Sequence, residues 1–272
     1  MGLFRNLNKP GPGVPKNAPR KKGVPRFFEI LGRDFGNLVK LNLLTQLGFL
    51  PSQGMLALSI WAYTGGWGVL FVVSAFLGAL SGIVLGAACA AQQFCLAKML
   101  RNEPGFIGQD FKRAFTQTLG RMAGPGMLYA ILLGVGIYTY LFVFSAQAGV
   151  SIFAVGLFVV LALLVAMAAP WLFLQGALLP LGAGAMLKHS VVLAVAYFLR
   201  SLAGALLGGA LTLIQWRVFP LLTPVTLVVG YSIPALIQLM WIWPPFEKTF
   251  QPGSAAAVAK PAAARPDEDE PG

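Results

Sequence analysis

Residues 69–97 read VLFVVSAFLGALSGIVLGAACAAQQFCLA, 29 consecutive positions without a charged side chain. About 20 helical residues cross a 30 Å hydrocarbon layer, so this stretch is long enough to span a bilayer. Residues 122–187 hold 66 more positions without Lys, Arg, Asp or Glu, room for two further crossings. The 20 Lys and Arg are confined to short clusters outside such runs. The pattern is that of an all-α, polytopic helical membrane protein.

Composition points the same way. Hydrophobic residues fill 57% of 272 positions and charged residues 11%, with mean hydropathy +0.74; a soluble domain carries about 25% charged residues. A net charge of +11 would suggest nucleic acid if it formed a stripe on a polar domain. Here it marks loops held on the cytoplasmic side, and no nucleic-acid partner is expected. Cys89 and Cys95, six apart in one apolar segment, lie on different helix faces and read as small buried residues, not as a disulfide or metal pair. The first 26 residues hold no apolar run of signal-peptide length.

Six spans are expected, at about 41–63, 68–97, 122–146, 150–181, 201–218 and 225–243. Pro51 and Gly54 place a break or kink in the first, because proline removes a donor and clashes with the preceding turn. Residues 1–26 read as a basic, disordered cytoplasmic arm, 27–250 as a single helical membrane domain, and 251–272 as a disordered tail. Amphipathic patterns at 27–40, within 98–121 and at 186–200 predict helices lying at the cytoplasmic interface.

Lys and Arg number nine in residues 1–40, five in 98–121, two in 182–201 and three after 243; the other face holds Arg217 alone. That bias puts both termini and the interfacial helices on the cytoplasmic side of the membrane. Phe111, Ala114, Phe115 and Ala123-Gly124 match Val191, Ala194, Val195 and Ala203-Gly204 at a constant offset of 80, a weak internal echo of the kind that transporter repeats leave.

The apolar runs contain no Asp or Glu, the chain has one histidine, His189, and no G-x-x-x-x-G-K-[ST] run occurs. Ion-coupled carriers usually rely on intramembrane carboxylates or histidine relays, and paired catalytic groups are missing. No enzyme activity, cofactor or metal is expected. The candidate polar positions are Lys40, Asn42 and Gln46 at the start of the first span, Gln175 one turn beyond Pro170, and Arg217. They read either as interhelical glue or as a polar lining for an uncharged solute. Gly78, Gly82 and Gly86, with Gly204 and Gly208, have the small-residue spacing that lets helices approach closely; packing within the bundle is the first reading and a homodimer the second. Asp110, Lys112 and Arg113 form a candidate cytoplasmic partner surface.

Four stretches carry a family resemblance: the basic leader GPGVPKNAPRKKG, the KLNLL entry to the first span, the LPSQG step after it, and KMLRNEPGFIGQDFKRAF between spans two and three. Together they resemble the YesL-like family of bacterial membrane proteins, although Ser52-Gln53 stand where many relatives carry a branched residue and Thr. The resemblance implies a non-enzymatic inner-membrane protein, accessory to or regulating solute uptake, with carbohydrate as the candidate cargo. The implied partners are the bilayer with its anionic lipids and an ABC sugar-transport system. A transporter or permease subunit for an uncharged solute is the alternative.

Overall fold

The computed structural model describes residues 23–143, 151–218 and 223–250. Residues 1–22 of the arm assigned to 1–26, the connection expected between the third and fourth spans, and the tail from 251 lie outside the described residues. Those described form eight helices and no strand: α1 Val24–Thr64, α2 Gly68–Arg101, α3 Ile107–Val143, α4 Ile152–Leu178, α5 Ala183–Ala196, α6 Phe198–Arg217, α7 Thr223–Val229 and α8 Ser232–Phe250. Five of them, α1 to α4 and α6, are long and apolar enough to cross a membrane. The chain is a multi-pass, all-α membrane protein.

Four expectations from the sequence need correction. The first concerns the start of the chain and Pro51. Helix α1 begins at Val24, with Pro25 in its first turn, where its missing donor costs nothing. Arg26, assigned to the arm, therefore belongs to the folded part and is buried. The helix then runs through Pro51 to Thr64 and leaves helical angles only at Asp34 (φ −111°, ψ 17°). Neighbours hold the turn around Pro51: Gly48 lies against Ala88, and Ser52 Oγ is 2.7 Å from Ser81 Oγ.

The second correction is at α3. Its 37 residues form one continuous helix about 55 Å along its axis, so residues 107–121 join the third span without a break and are not a separate helix. A layer about 30 Å thick leaves the polar portion projecting beyond the lipid. Pro125 lies within the helix, where its ring opposes the carbonyl of Arg121, yet the helix continues through it.

The third lies at α5 and α6, which are separate helices as the sequence suggested. The break falls at Tyr197 (φ −108°, ψ 41°), whose ring stacks on Trp171 at 5.7 Å. The offset of 80 would align this broken pair with the unbroken α3, so the echo is not matched in helix continuity. The fourth correction, the sixth span, is two helices and is described with the site.

Helix α2 is central, packed between α1 and α3. Gly82 and Gly86 face α3: a Cβ on either would lie 2.6 Å from backbone atoms of Gly126. Gly78 instead faces α1, with Met55 Cβ at an ordinary 3.4 Å. Gly204 and Gly208 receive Gln238 and Trp241 of α8. At the charged end, Arg26 and Arg33 of α1 cap the last carbonyls of α2: Arg26 Nη2 donates to Leu100 O (2.7 Å) and Arg33 Nη2 to Met99 O (3.0 Å). Cations suit a helix C-terminus, where four carbonyls lack intrahelical partners. Arg101 lies 5.9 Å from the Trp243 ring, so the described chain enters and leaves at this same end. The opposite end carries an aromatic group, Trp61 on Trp67 and Tyr63, Phe71 and Tyr138 edge to face or tilted, as suits a headgroup layer.

Trp171 joins α4 to α6, its indole Nε1 donating to Ser201 Oγ at 2.9 Å with both residues buried. Ser201→Ala leaves that N–H without an acceptor and is expected to cost about 1–3 kcal/mol. Thermal unfolding in detergent would register the loss, and Trp171→Phe combined with Ser201→Ala should add little polar penalty to it.

Candidate functional site: an asparagine splice and a layer of buried amides

The sequence TPVTLVVGYSIPAL explains the break between α7 and α8. A proline ring clashes with the carbonyl four residues earlier, and four residues before Pro234 stands Gly230. The helix stops there and restarts at Ser232. In an unbroken helix the N–H of residue 231 would donate to the carbonyl of 227. Here the side-chain amide of Asn42 is inserted into that missing link. Its Nδ2 donates to Leu227 O (2.7 Å) and Thr226 O (3.0 Å), and its Oδ1 accepts from Tyr231 N (2.7 Å) and Ser232 N (3.0 Å). One amide thus replaces one peptide unit on both sides. Asn42 has no solvent exposure, and a membrane interior offers no water to take its place.

Helix α1 holds the break with three residues on one face. Beyond Asn42, Phe49 packs its ring 4.9 Å from that of Tyr231, and Gln53 Nε2 donates to the Tyr231 hydroxyl. The spacings of seven and four put all three on a single helical stripe.

A second group of amides lies nearby in depth. Gly48 contacts Ala88, Gly86 contacts Gly126, and Gly176 contacts Met122. Carried along the helices at 1.5 Å per residue, these contacts bring Gln46, Gln92, Gln93 and Gln175 to within about 6 Å of a common level. Gln92, Gln93 and Gln175 are buried. Gln175 Nε2 donates to Trp171 O at 3.2 Å. Gln175 Oε1, Gln46 Oε1, Gln92 Nε2 and Gln93 Oε1 have no hydrogen-bond partner among the described residues. Buried polar atoms are almost always bonded, so these four atoms are left free to bond a water or another polar group. Neutral amides cannot transfer protons or attack substrates; they can donate to and accept from water or an uncharged solute.

The other sequence candidates fall elsewhere. Lys40 is exposed at the rim and apart from the splice. Arg217 ends α6, but its side chain lies outside the described residues. Asp110 is engaged by Lys98 Nζ at 2.8 Å, while Lys112 and Arg113 are exposed on α3. His189 is half-buried on α5 with Nδ1 unpartnered among the described residues. Sequence reasoning passed over Gln92-Gln93, whose signal was a pair of amides inside a charge-free run. It passed over Gly126 as well, which is the counterpart of Gly82 and Gly86.

No family model, curated protein or solved structure matches the chain.

Proposed function

We propose that the protein is a non-enzymatic component of solute uptake in the bacterial inner membrane, acting as an accessory or regulatory subunit beside a transporter. The observation that carries the reading is the helical extension of α3, which presents Lys112 and Arg113 on an exposed polar face beyond a spanning bundle whose α2–α3 contact is backbone on backbone. Such a bundle is built to hold its shape and to display that face. The resemblance to the YesL-like family makes an ABC sugar-transport system the first candidate partner. With both termini and the charged end in the cytoplasm, basic residues near the inner leaflet also attract anionic lipid at about 1 kcal/mol each.

Reporter fusions test the orientation: alkaline phosphatase joined after Gly66 should be active and a fluorescent protein there dark. Affinity capture from native membranes tests the role. The protein should retain a transporter subunit, and Lys112→Glu with Arg113→Glu should lower that retention at least tenfold while leaving the melting curve unchanged. Recovery without a stable partner in detergents and in nanodiscs alike would overturn the accessory role.

The amide layer favours a second reading, in which the protein itself carries an uncharged, hydroxyl-rich solute. Proteoliposomes holding this protein alone would then take up labelled sugar, and Gln93→Leu with Gln175→Leu would abolish the flux. The accessory role expects no flux from the protein alone.

A further inference from the structure

We propose that the pocket at the charged end, between the kink in α1 and the connection from α2 to α3, binds a small zwitterion carrying an ammonium and an anionic group on neighbouring atoms. The cavity is about 430 Å³, within the range of small-molecule sites. Two ion pairs face it. Lys98 Nζ lies 2.8 Å from Asp110 Oδ2, with both side chains about one-fifth exposed, and Arg33 pairs with its neighbour Asp34.

The position of these groups follows from the backbone. The departure at Asp34 turns the first segment of α1 towards the end of α2, where Arg33 reaches Met99 O. Asn102, in the left-handed conformation (φ 58°), turns the chain out of α2. Gly105 then passes so close to the Lys98–Asp110 pair that a Cβ there would meet Lys98 Nζ at 2.7 Å. The charges are thus held in place before any guest arrives, which lowers the ordering cost of binding.

Arg33, Lys98, Asp34 and Asp110 share this half-enclosed space with a third carboxylate, Glu103, which Arg101 Nε pairs at 3.1 Å, so with that pair included the charges sum to zero. A lone anion or cation entering beside them would compete for one partner and leave its opposite charge less well paired. A zwitterion adds one contact of each sign: its ammonium to Asp110 or Asp34, its anionic group to Lys98 or Arg33. Asn37, held 3.3 Å from Asp34 Oδ1, supplies an amide at the wall. Cys95, Met99 and Ile107 make the apolar part of the lining and suit a short aliphatic substituent. A free aliphatic amino acid and a phosphatidylethanolamine headgroup share this chemistry.

The test uses the full chain in nanodiscs of phosphatidylglycerol alone. In one arm leucine is titrated by calorimetry, with isobutylamine and 4-methylpentanoate as singly charged controls. In the other, phosphatidylethanolamine or phosphatidylcholine is mixed in, and lipid retained by the protein is read by native mass spectrometry. Saturable binding of leucine identifies a free zwitterion. Retention of phosphatidylethanolamine at least tenfold above phosphatidylcholine, whose ammonium has no N–H, identifies the lipid.

Asp110→Asn should weaken either at least tenfold, and Asn37→Leu, which narrows the pocket without touching the Lys98 pair, should do the same; circular dichroism confirms that each variant is folded. Absence of binding in both arms, equal binding of the singly charged controls, or undiminished binding in both variants would overturn the proposal.

Discussion

Asn42→Leu is expected to lose more than about 3 kcal/mol of stability, because several buried backbone groups lose their partner and each costs about 1–3 kcal/mol. Leucine is close in volume and adds no clash of its own, so the effect isolates the four hydrogen bonds to Thr226, Leu227, Tyr231 and Ser232. Thermal unfolding in mild detergent and protease sensitivity near Gly230 would measure it. The splice also predicts a rescue. Pro234→Ala restores a donor and removes the clash with the carbonyl of Gly230, so residue 231 can again bond to residue 227. Pro234→Ala should therefore recover part of the loss in Asn42→Leu while doing little for the wild type. A double variant as unstable as the sum of the two singles would show that Asn42 does not stand in for the missing peptide.

Gly126→Val should be at least as damaging, for a steric reason. A Cβ at Gly126 would overlap the carbonyl oxygen of Gly82 and lie 2.9 Å from Gly86 Cα. Backbone atoms cannot swing aside as a side-chain end can, so α2 and α3 would have to part along their longest contact. Overpacking a core costs about 1–3 kcal/mol when side chains give way; here the upper end is the minimum expected. Gly124→Ala, two residues away with nothing within 4 Å of its Cβ position, serves as the control. It should be neutral or stabilising by up to about 1 kcal/mol, since alanine favours a helix over glycine. Expression level and melting temperature of the two variants, compared side by side, decide the matter; similar behaviour would refute the backbone contact.

The positions of Asn42, Gly82 and Gly86 were legible as residues but not as contacts. A polar amide two positions past Lys40 in an apolar run announces a buried hydrogen bond, because the bilayer offers no alternative. Its acceptors lie 184 and 185 residues further along, and no local pattern carries that pairing. Gly78, Gly82 and Gly86 share a spacing of four, which the sequence reads as one groove. The residues opposite divide that groove between α1 and α3. Pro51 and Pro234 show the same limit from the other side. Each proline removes one donor, yet α1 continues through Pro51 while the last span breaks before Pro234. Near Pro51, Gly48 sits tightly on Ala88 and Ser52 meets Ser81. At Gly230 the freed backbone groups have Asn42 to receive them.

The sequence by itself determined that this chain crosses a membrane several times as helices, since charge-free runs of 29 and 66 residues far exceed the roughly 10-residue strands of a barrel and must satisfy their backbone within helices. It also determined which few amides stand in those runs. Tertiary structure alone decided where helices bend, join or break, because in lipid the cost of a freed N–H or carbonyl depends on whether a neighbouring helix brings a partner to it.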